Sequence, residues 1–227
     1  MHYSSPYYFP LALPFLLLLF LLVVLVIALI EVGVLSYAYE KIGIDRRYVF
    51  SLLALSFFGS YINIPITELP AREIISDREV WFFGMHYVVP FVQEWDRTVI
   101  AVNLGGAVLP VALSIYLLVT KKNYLRALLG VGIVAVIVHR LATPVPGVGI
   151  AVPTLAPPII AALTALLLDR RNAPPLAYIG GSLGTLIGAD LMNLSSLQGL
   201  GAPVASIGGA GTFDGIFLTG IIAVLLA

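Results

Sequence analysis

Seven stretches of this chain are apolar over roughly the length needed to cross a bilayer, with polar segments between them: Leu11–Leu35, Tyr48–Ile66, Val99–Val119, Leu125–Thr143, Leu155–Leu168, Leu176–Leu194 and Gly209–Ala227. A membrane-crossing helix needs about 20 predominantly apolar residues. The pattern therefore predicts an all-α integral membrane protein with about seven transmembrane helices, folded as a single polytopic domain over residues 1–227. The fifth stretch is short and must borrow from the Pro-rich segment before it. One intervening segment, about 67–98, is long enough to form an extramembrane part. Within it, VWFFGMHYVVPFV is apolar but too short to span. It reads as an interfacial hairpin around Gly84, or as a lid, with Trp81, Phe82 and Trp95 at headgroup level.

The basic residues orient the spans. The segments KIGIDRR, KKNYLR and DRRN carry Lys41, Arg46, Arg47, Lys121, Lys122, Arg126, Arg170 and Arg171, eight of the twelve Lys and Arg. Simple alternation puts all three segments on one side, and cytoplasmic loops carry the excess of Lys and Arg. The expected topology has the N-terminus outside, the C-terminus cytoplasmic and an odd number of spans. Tyr7, Tyr8, Tyr37, Tyr39, Tyr48, Tyr124 and Tyr178 stand where interfacial aromatic belts belong. The segments starting at Ile100 and Ile150 align at a 50-residue offset, each followed by a basic turn and a returning helix. That echo is what a parallel helical-hairpin repeat would leave.

Composition agrees. Of 227 residues, 60% are hydrophobic and 11% charged, against about 25% charged in soluble proteins. The zero formal net charge gives nucleic acid no electrostatic footprint. The absence of cysteine excludes disulfides, thiolate metal sites and a cysteine nucleophile. The first apolar run lacks a basic n-region and is too long for a signal-peptide core, so it is expected to remain as an anchor. No Walker loop or zinc set is present, and no cofactor or metal is expected.

The unusual polar residues fall at one level of this topology. The second span closes outward with Asn63, Pro65 and Glu68, and the third opens there with Asn103, Gly105 and Gly106. The fourth ends at His139 and Arg140, the sixth at Asp190 and Asn193, and the seventh begins with GTFDG, which holds Gly211 and Asp214. At ~1.5 Å per residue, Asp190 and Asp214 come to ~9 Å and ~8 Å below the outer edge of a ~30 Å core. A carboxylate at that depth needs a partner, a cation or water. Arg140 is expected near Asp190 because both close outward-running helices. In the inner half, Glu31 is the one intramembrane acid. More ordinary roles fit each residue singly: Asp214 as a helix-start acid, Asn63 and Asn103 as interhelical hydrogen-bonders, His139 as a packed histidine, and PVPGVG as a turn before a helix or a re-entrant segment.

The stretches SYINIPI, AVNLGGAVLP, PVPGVGIAVP, LGTLIGADLMNL and GAPVASIGGAGTFDGIFLTG resemble a family of prokaryotic multi-pass membrane proteins known only as a domain of unknown function, numbered 1614. That resemblance implies a membrane location and no established activity. Separately, GTFDGIF is similar to the glycine-x-glycine-aspartate motif that opens a catalytic helix in presenilins, signal peptide peptidases and prepilin peptidases. There, two intramembrane aspartates on successive helices activate a water for peptide hydrolysis. The resemblance implies Asp214 as the motif aspartate and Asp190 as its partner. The sequence departs from the motif in having Phe213 at the second glycine position and Gly188-Ala189 before Asp190.

Of three expected functions the hydrolase stands first, with the transporter and the scaffold as alternatives. An intramembrane aspartyl-protease-like hydrolase would use Asp190 and Asp214, because two adjacent carboxyls share a proton and so divide into acid and base. A cation- or proton-coupled small-solute transporter would use the same carboxylates with Asn63, Asn103 and Asn193 as hard oxygen ligands. A non-catalytic scaffold would use the polar groups only to lock helices. The expected partners are the lipid bilayer and a membrane peptide or small solute.

Overall fold

The structure, a computed structural model, describes residues 13–69, 72–82, 85–95, 98–145, 149–197, 204–209 and 215–227. Seven α-helices account for most of them: α1 (Leu13–Ile42), α2 (Arg46–Gly59), α3 (Leu109–Lys121), α4 (Tyr124–Leu141), α5 (Ala156–Leu168), α6 (Ala173–Thr185) and α7 (Gly215–Leu226). Each falls within or over one of the seven apolar stretches. Among the described residues, three segments are helical, long and apolar enough to cross a membrane, Phe20–Ile42, Leu104–Lys121 and Tyr124–Leu141, and they mark a membrane protein. Ala156–Leu168 and Gly215–Leu226 are apolar but shorter.

Short strands interrupt the helical pattern. They are β1 (Asn63–Leu69), β2 (Arg72–Phe82), β3 (Met85–Trp95), β4 (Thr98–Asn103), β5 (Thr143–Val145), β6 (Gly149–Ala151) and β7 (Val204–Ile207). β1, β4 and β7 make a three-stranded sheet in that order; β2 pairs with β3 and β5 with β6. The β2–β3 ladder runs from Arg72↔Trp95 to Phe82↔Met85, so the apolar stretch around Gly84 is a hairpin. The second and third apolar stretches need correction at their ends. The second leaves helix at Gly59 and continues as β1, and the third begins as β4. Asn63 and Asn103 face each other in the ladder.

α6 is the hub of the bundle. From Leu176 to Ser182 every residue is buried. Its small residues let neighbours approach: a methyl on Gly184 would stand 2.6 Å from Val134 Cβ, and one on Gly188 would stand 2.3 Å from Ala135 O. Close approach of this kind substitutes for the hydrophobic drive that lipid removes. Among the described residues, α1 packs by its last turns, where Ala38, Tyr39 and Ile42 are fully buried. Lys41 Nζ donates to Val224 O at 3.2 Å, a basic group on a helix's last carbonyls.

The three basic turns gather at one end of the bundle, opposite the three-stranded sheet. A methyl on Gly43 would lie 2.8 Å from Lys121 Nζ, which brings the α1–α2 turn to the end of α3. Asp169, between α5 and α6, joins the other two. Its carboxylate accepts from Arg171 N (3.1 Å) and Asn172 Nδ2 (3.0 Å) in its own turn, and pairs with Arg126 at the start of α4. The Asn172 amide, with the Arg171 N–H and the Arg126 guanidinium, holds the Asp169 carboxyl below the ordinary carboxylate range against the opposing effect of burial. A depressed folded value contributes stability that is present above the unfolded value of about 3.9 and lost as pH falls through the folded one. Melting temperature is therefore expected to decline on acidification below about pH 4, and Asp169→Asn should flatten that decline. An identical acid limb in the variant would show that this clamp does not contribute.

Candidate functional site

The sheet places two of the predicted asparagines together. β1 runs antiparallel to β4 with Asn63 opposite Asn103, and β7 lies parallel to β4 from Val99↔Val204 to Val102↔Ile207. The β1–β4 register shifts between Pro65 and Thr67, beside a proline that has no N–H to give the ladder. Asn103 is fully buried. Its Oδ1 accepts from Gly106 N at 2.8 Å, and its Nδ2 donates to Ser60 O at 2.7 Å and Asn63 Oδ1 at 3.0 Å. One amide thus caps the π-helical turn Leu104–Val108, fixes the end of α2 and braces β1. Asn63 Oδ1 also lies 2.6 Å from Ser206 Oγ on β7, which is 2.5 Å from Gly209 O. Ser206 has two acceptors for its single proton, a geometry that allows it to switch between them.

Asp190 is reached through the turn that follows β7. Gly208 and Gly209 have φ of +86° and +81°, a region open to glycine and strained for other residues. The turn presents Gly208 N–H to Asp190 Oδ2 at 2.8 Å. A side chain at Gly208 would also strike Ala107 N at 2.6 Å. Asp190 ends a π-helical turn, Leu186–Asp190, that extends α6. Such bulges recur at functional sites because they re-aim one side chain.

Beside Asp190 lies a cavity of about 180 Å³, bounded by the chain leading into α5, the end of α6 and the first turns of α7. Its polar lining is Asp190 with Thr154, Thr185 and Thr219. Thr185 is 5% exposed, and its Oγ1 has no hydrogen-bond partner among the described residues. An unpartnered buried hydroxyl costs about 1–3 kcal/mol.

The other described candidates fall on further elements. Asn193 Nδ2 donates to Gly188 O and Ala189 O, each at 2.9 Å, and so closes the π turn. His139 and Arg140 end α4, where positive charge suits the helix dipole. His139 is half-buried with Nδ1 unpartnered among the described residues, and Arg140 is exposed. Glu68 is exposed on β1. Asp214 and Gly211 lie outside the described residues. No group of three or more His, Cys, Asp or Glu suited to a metal occurs among the described residues. Sequence reasoning missed Ser206 and the three threonines, since Ser and Thr occur widely in membrane helices as simple packing groups.

The polar sheet end and the Asp190 turn lie in the segments that carry the family resemblance. The family model described as "Protein of unknown function (DUF1614)" matches residues 57–226. The chain belongs to the DUF1614 family. The match begins near the end of α2 and takes in the whole sheet, Asp190 and α7, leaving α1 outside it. No curated protein and no solved structure matches the chain.

Proposed function

We propose that this DUF1614 protein is a multi-pass protein of the cell membrane that binds, and carries, a small cation or protonated amine at the Asp190 cavity. The observation that supports this most is the cavity itself: Asp190 and three threonines line a space of about 180 Å³. That space suits a small solute with water, and the lining is the hard-oxygen set such cations prefer. The short helices α5 and α7 both begin at this cavity, α5 after a Pro-rich segment and α7 after a Gly-rich one. Interrupted helices meeting at a polar site are a recurring construction in transporters.

The test is thermal stabilisation of the purified protein by sodium, lithium, potassium or methylamine. Binding to the folded state at one hundred times Kd adds about 2.7 kcal/mol. Wild type is expected to gain with at least one of these, and Asp190→Asn to lose most of the gain while still folding. A wild type indifferent to all four, or an Asp190→Asn variant that responds equally, would exclude the reading.

Peptide hydrolysis is the second reading, and one observation favours it. Gly215, the residue after Asp214, lines the same cavity as Asp190. Cleavage of a transmembrane peptide, abolished by Asp190→Asn and by Asp214→Asn, would establish it in place of transport, because Asn cannot cycle a proton.

The orientation proposed for the membrane has the basic turns cytoplasmic and the sheet outside, following the bias of Lys and Arg. With no native cysteine, single cysteines report cleanly. Cysteines in KKNYLR or DRRN should resist an impermeant label applied from outside, and one at Trp81 should react. The opposite pattern would reverse the orientation.

A further inference from the structure

We propose that the cleft between α2 and α3 binds one anionic phospholipid, with its phosphate at Arg47 and Lys121 and an acyl chain running inward between the two helices. The helices meet at one end, where a methyl on Gly59 would stand 3.0 Å from Gly105 N. Toward the basic end a cavity of about 690 Å³ separates them, within the size range of small-molecule sites. Each helix gives it one face: Tyr48, Ser51, Leu52 and Leu55 from α2, and Leu109, Ala112, Leu113 and Tyr116 from α3. The spacing i, i+3, i+4, i+7 on both is that of a single helix face. Leu113 is buried, while Tyr48, Leu55, Ala112 and Tyr116 are exposed, so the cleft opens on the outside of the bundle. α3 belongs to a segment, Leu104–Lys121, long and apolar enough to cross a membrane. Leu109 lies twelve residues from Lys121, or about 18 Å along a helix, so the cleft reaches from the interface well into a ~30 Å hydrocarbon core.

The occupant follows from the order of chemistry along the cleft. Gly43, Asp45 and Arg47 line its mouth. Asp45 caps α2 by accepting from Arg47 N, and its Oδ2 lies 3.1 Å from Arg47 Nε. The guanidinium stacks on the Tyr48 ring at 4.8 Å and has further N–H donors on its other nitrogens. Lys121 comes to the same mouth from α3: a methyl on Gly43 would stand 2.8 Å from its Nζ. Arg46 pairs with Glu40 at 3.6 Å. Among the described residues Lys121 and Lys122 pair with no carboxylate, so this end carries surplus positive charge. Next come the hydroxyls of Tyr48, Ser51 and Tyr116, and beyond them the lining is aliphatic. A bare hydrocarbon chain would leave the cations unmatched, and a free phosphate would leave the aliphatic walls unfilled. An anionic phospholipid presents phosphate, ester and chain in that same order. Basic pockets between membrane helices on the cytoplasmic side are where anionic headgroups bind, and on the orientation proposed above this end is cytoplasmic. The cleft shares no lining residue with the Asp190 cavity, so it stands whether or not that site carries a cation.

The test titrates the delipidated full chain in detergent with dioleoyl phosphatidylglycerol, dioleoyl phosphatidylcholine or glycerol 3-phosphate, and reads bound species by native mass spectrometry. Phosphatidylglycerol should bind roughly tenfold more tightly than phosphatidylcholine, and glycerol 3-phosphate should not be retained. Arg47→Gln combined with Lys121→Gln should bring phosphatidylglycerol down to the level of phosphatidylcholine. Ala112→Phe fills the cleft from an exposed position and should remove the bound lipid with both cations in place. Arg171→Gln changes an exposed cation at the same end of the bundle but outside the cleft, and it should bind phosphatidylglycerol as wild type does. All these positions are exposed, so each variant should melt with wild type when lipid is absent. Equal retention of the two lipids, retention of glycerol 3-phosphate, undiminished binding in Ala112→Phe, or an equal loss in Arg171→Gln would each overturn the proposal.

Discussion

Asn103→Leu is expected to destabilise the folded protein by about 3 kcal/mol, seen as a lower melting temperature and a lower midpoint in denaturing detergent. Leucine fills nearly the same volume but strands the groups that the amide satisfies. Gly106 N–H and Ser60 O lose their partner, in a place where Asn103 is 0% and Ser60 4% exposed. Each stranded group costs about 1–3 kcal/mol, partly offset by the leucine's own burial. Asn103→Asp should be nearly as damaging for a different reason: it keeps the acceptor for Gly106 but turns an oxygen toward Ser60 O and Asn63 Oδ1. Asn63 is exposed, so Asn63→Ala should cost about 1 kcal/mol. The double variant should lose less than the sum of the singles, as contacting residues do. An Asn103→Leu protein that melts with wild type would show that this amide does not organise the sheet end.

Gly105→Ala should be of similar severity, through crowding. The added methyl would stand 2.2 Å from Ser56 O and 2.5 Å from Ser60 N. Both obstacles are backbone, in α2 and at its C-cap, so no side chain can rotate away. Gly59 faces the same contact from the other side, at 3.0 Å from Gly105 N. Overpacking commonly costs about 1–3 kcal/mol and more where the backbone must move; about 3 kcal/mol is expected here. Gly132→Ala is the control. It lies within α4 with nothing inside 4 Å of the new methyl, and it should melt at or slightly above wild type because alanine favours helix. If both glycine variants behave alike, close packing of α2 on the π turn is not what requires Gly105.

The helices were legible because lipid demands long apolar runs, and each of the seven runs holds one. Their ends were less legible. SYINIPI and TVIAVN are apolar enough to continue a span, and short apolar runs have no period that separates strand from helix. What decides is tertiary: Asn63 and Asn103 pair across two segments 40 residues apart. Asp190 was legible because a carboxylate within an apolar run is rare. One of its contacts is with Gly208 N–H, a partner absent from the sequence reading. A backbone donor aimed by two left-handed glycines leaves no charge signal to read. Thr185 was invisible for another reason: its importance lies in lacking a partner, which only packing reveals.

The strand order has a consequence for biogenesis. β4 sits between β1 and β7, and Val99 pairs with Val204, 105 residues later. At about 5–20 residues per second, a ribosome needs roughly 5–20 s to supply β7 after β4 has been made. During that interval β4 is an unpaired edge, the kind of surface that recruits other strands. A stalled or truncated nascent chain ending before Val204 would carry that open edge permanently. Quality control that recognises exposed strand edges would thus find an unfinished copy of this protein marked by its own topology.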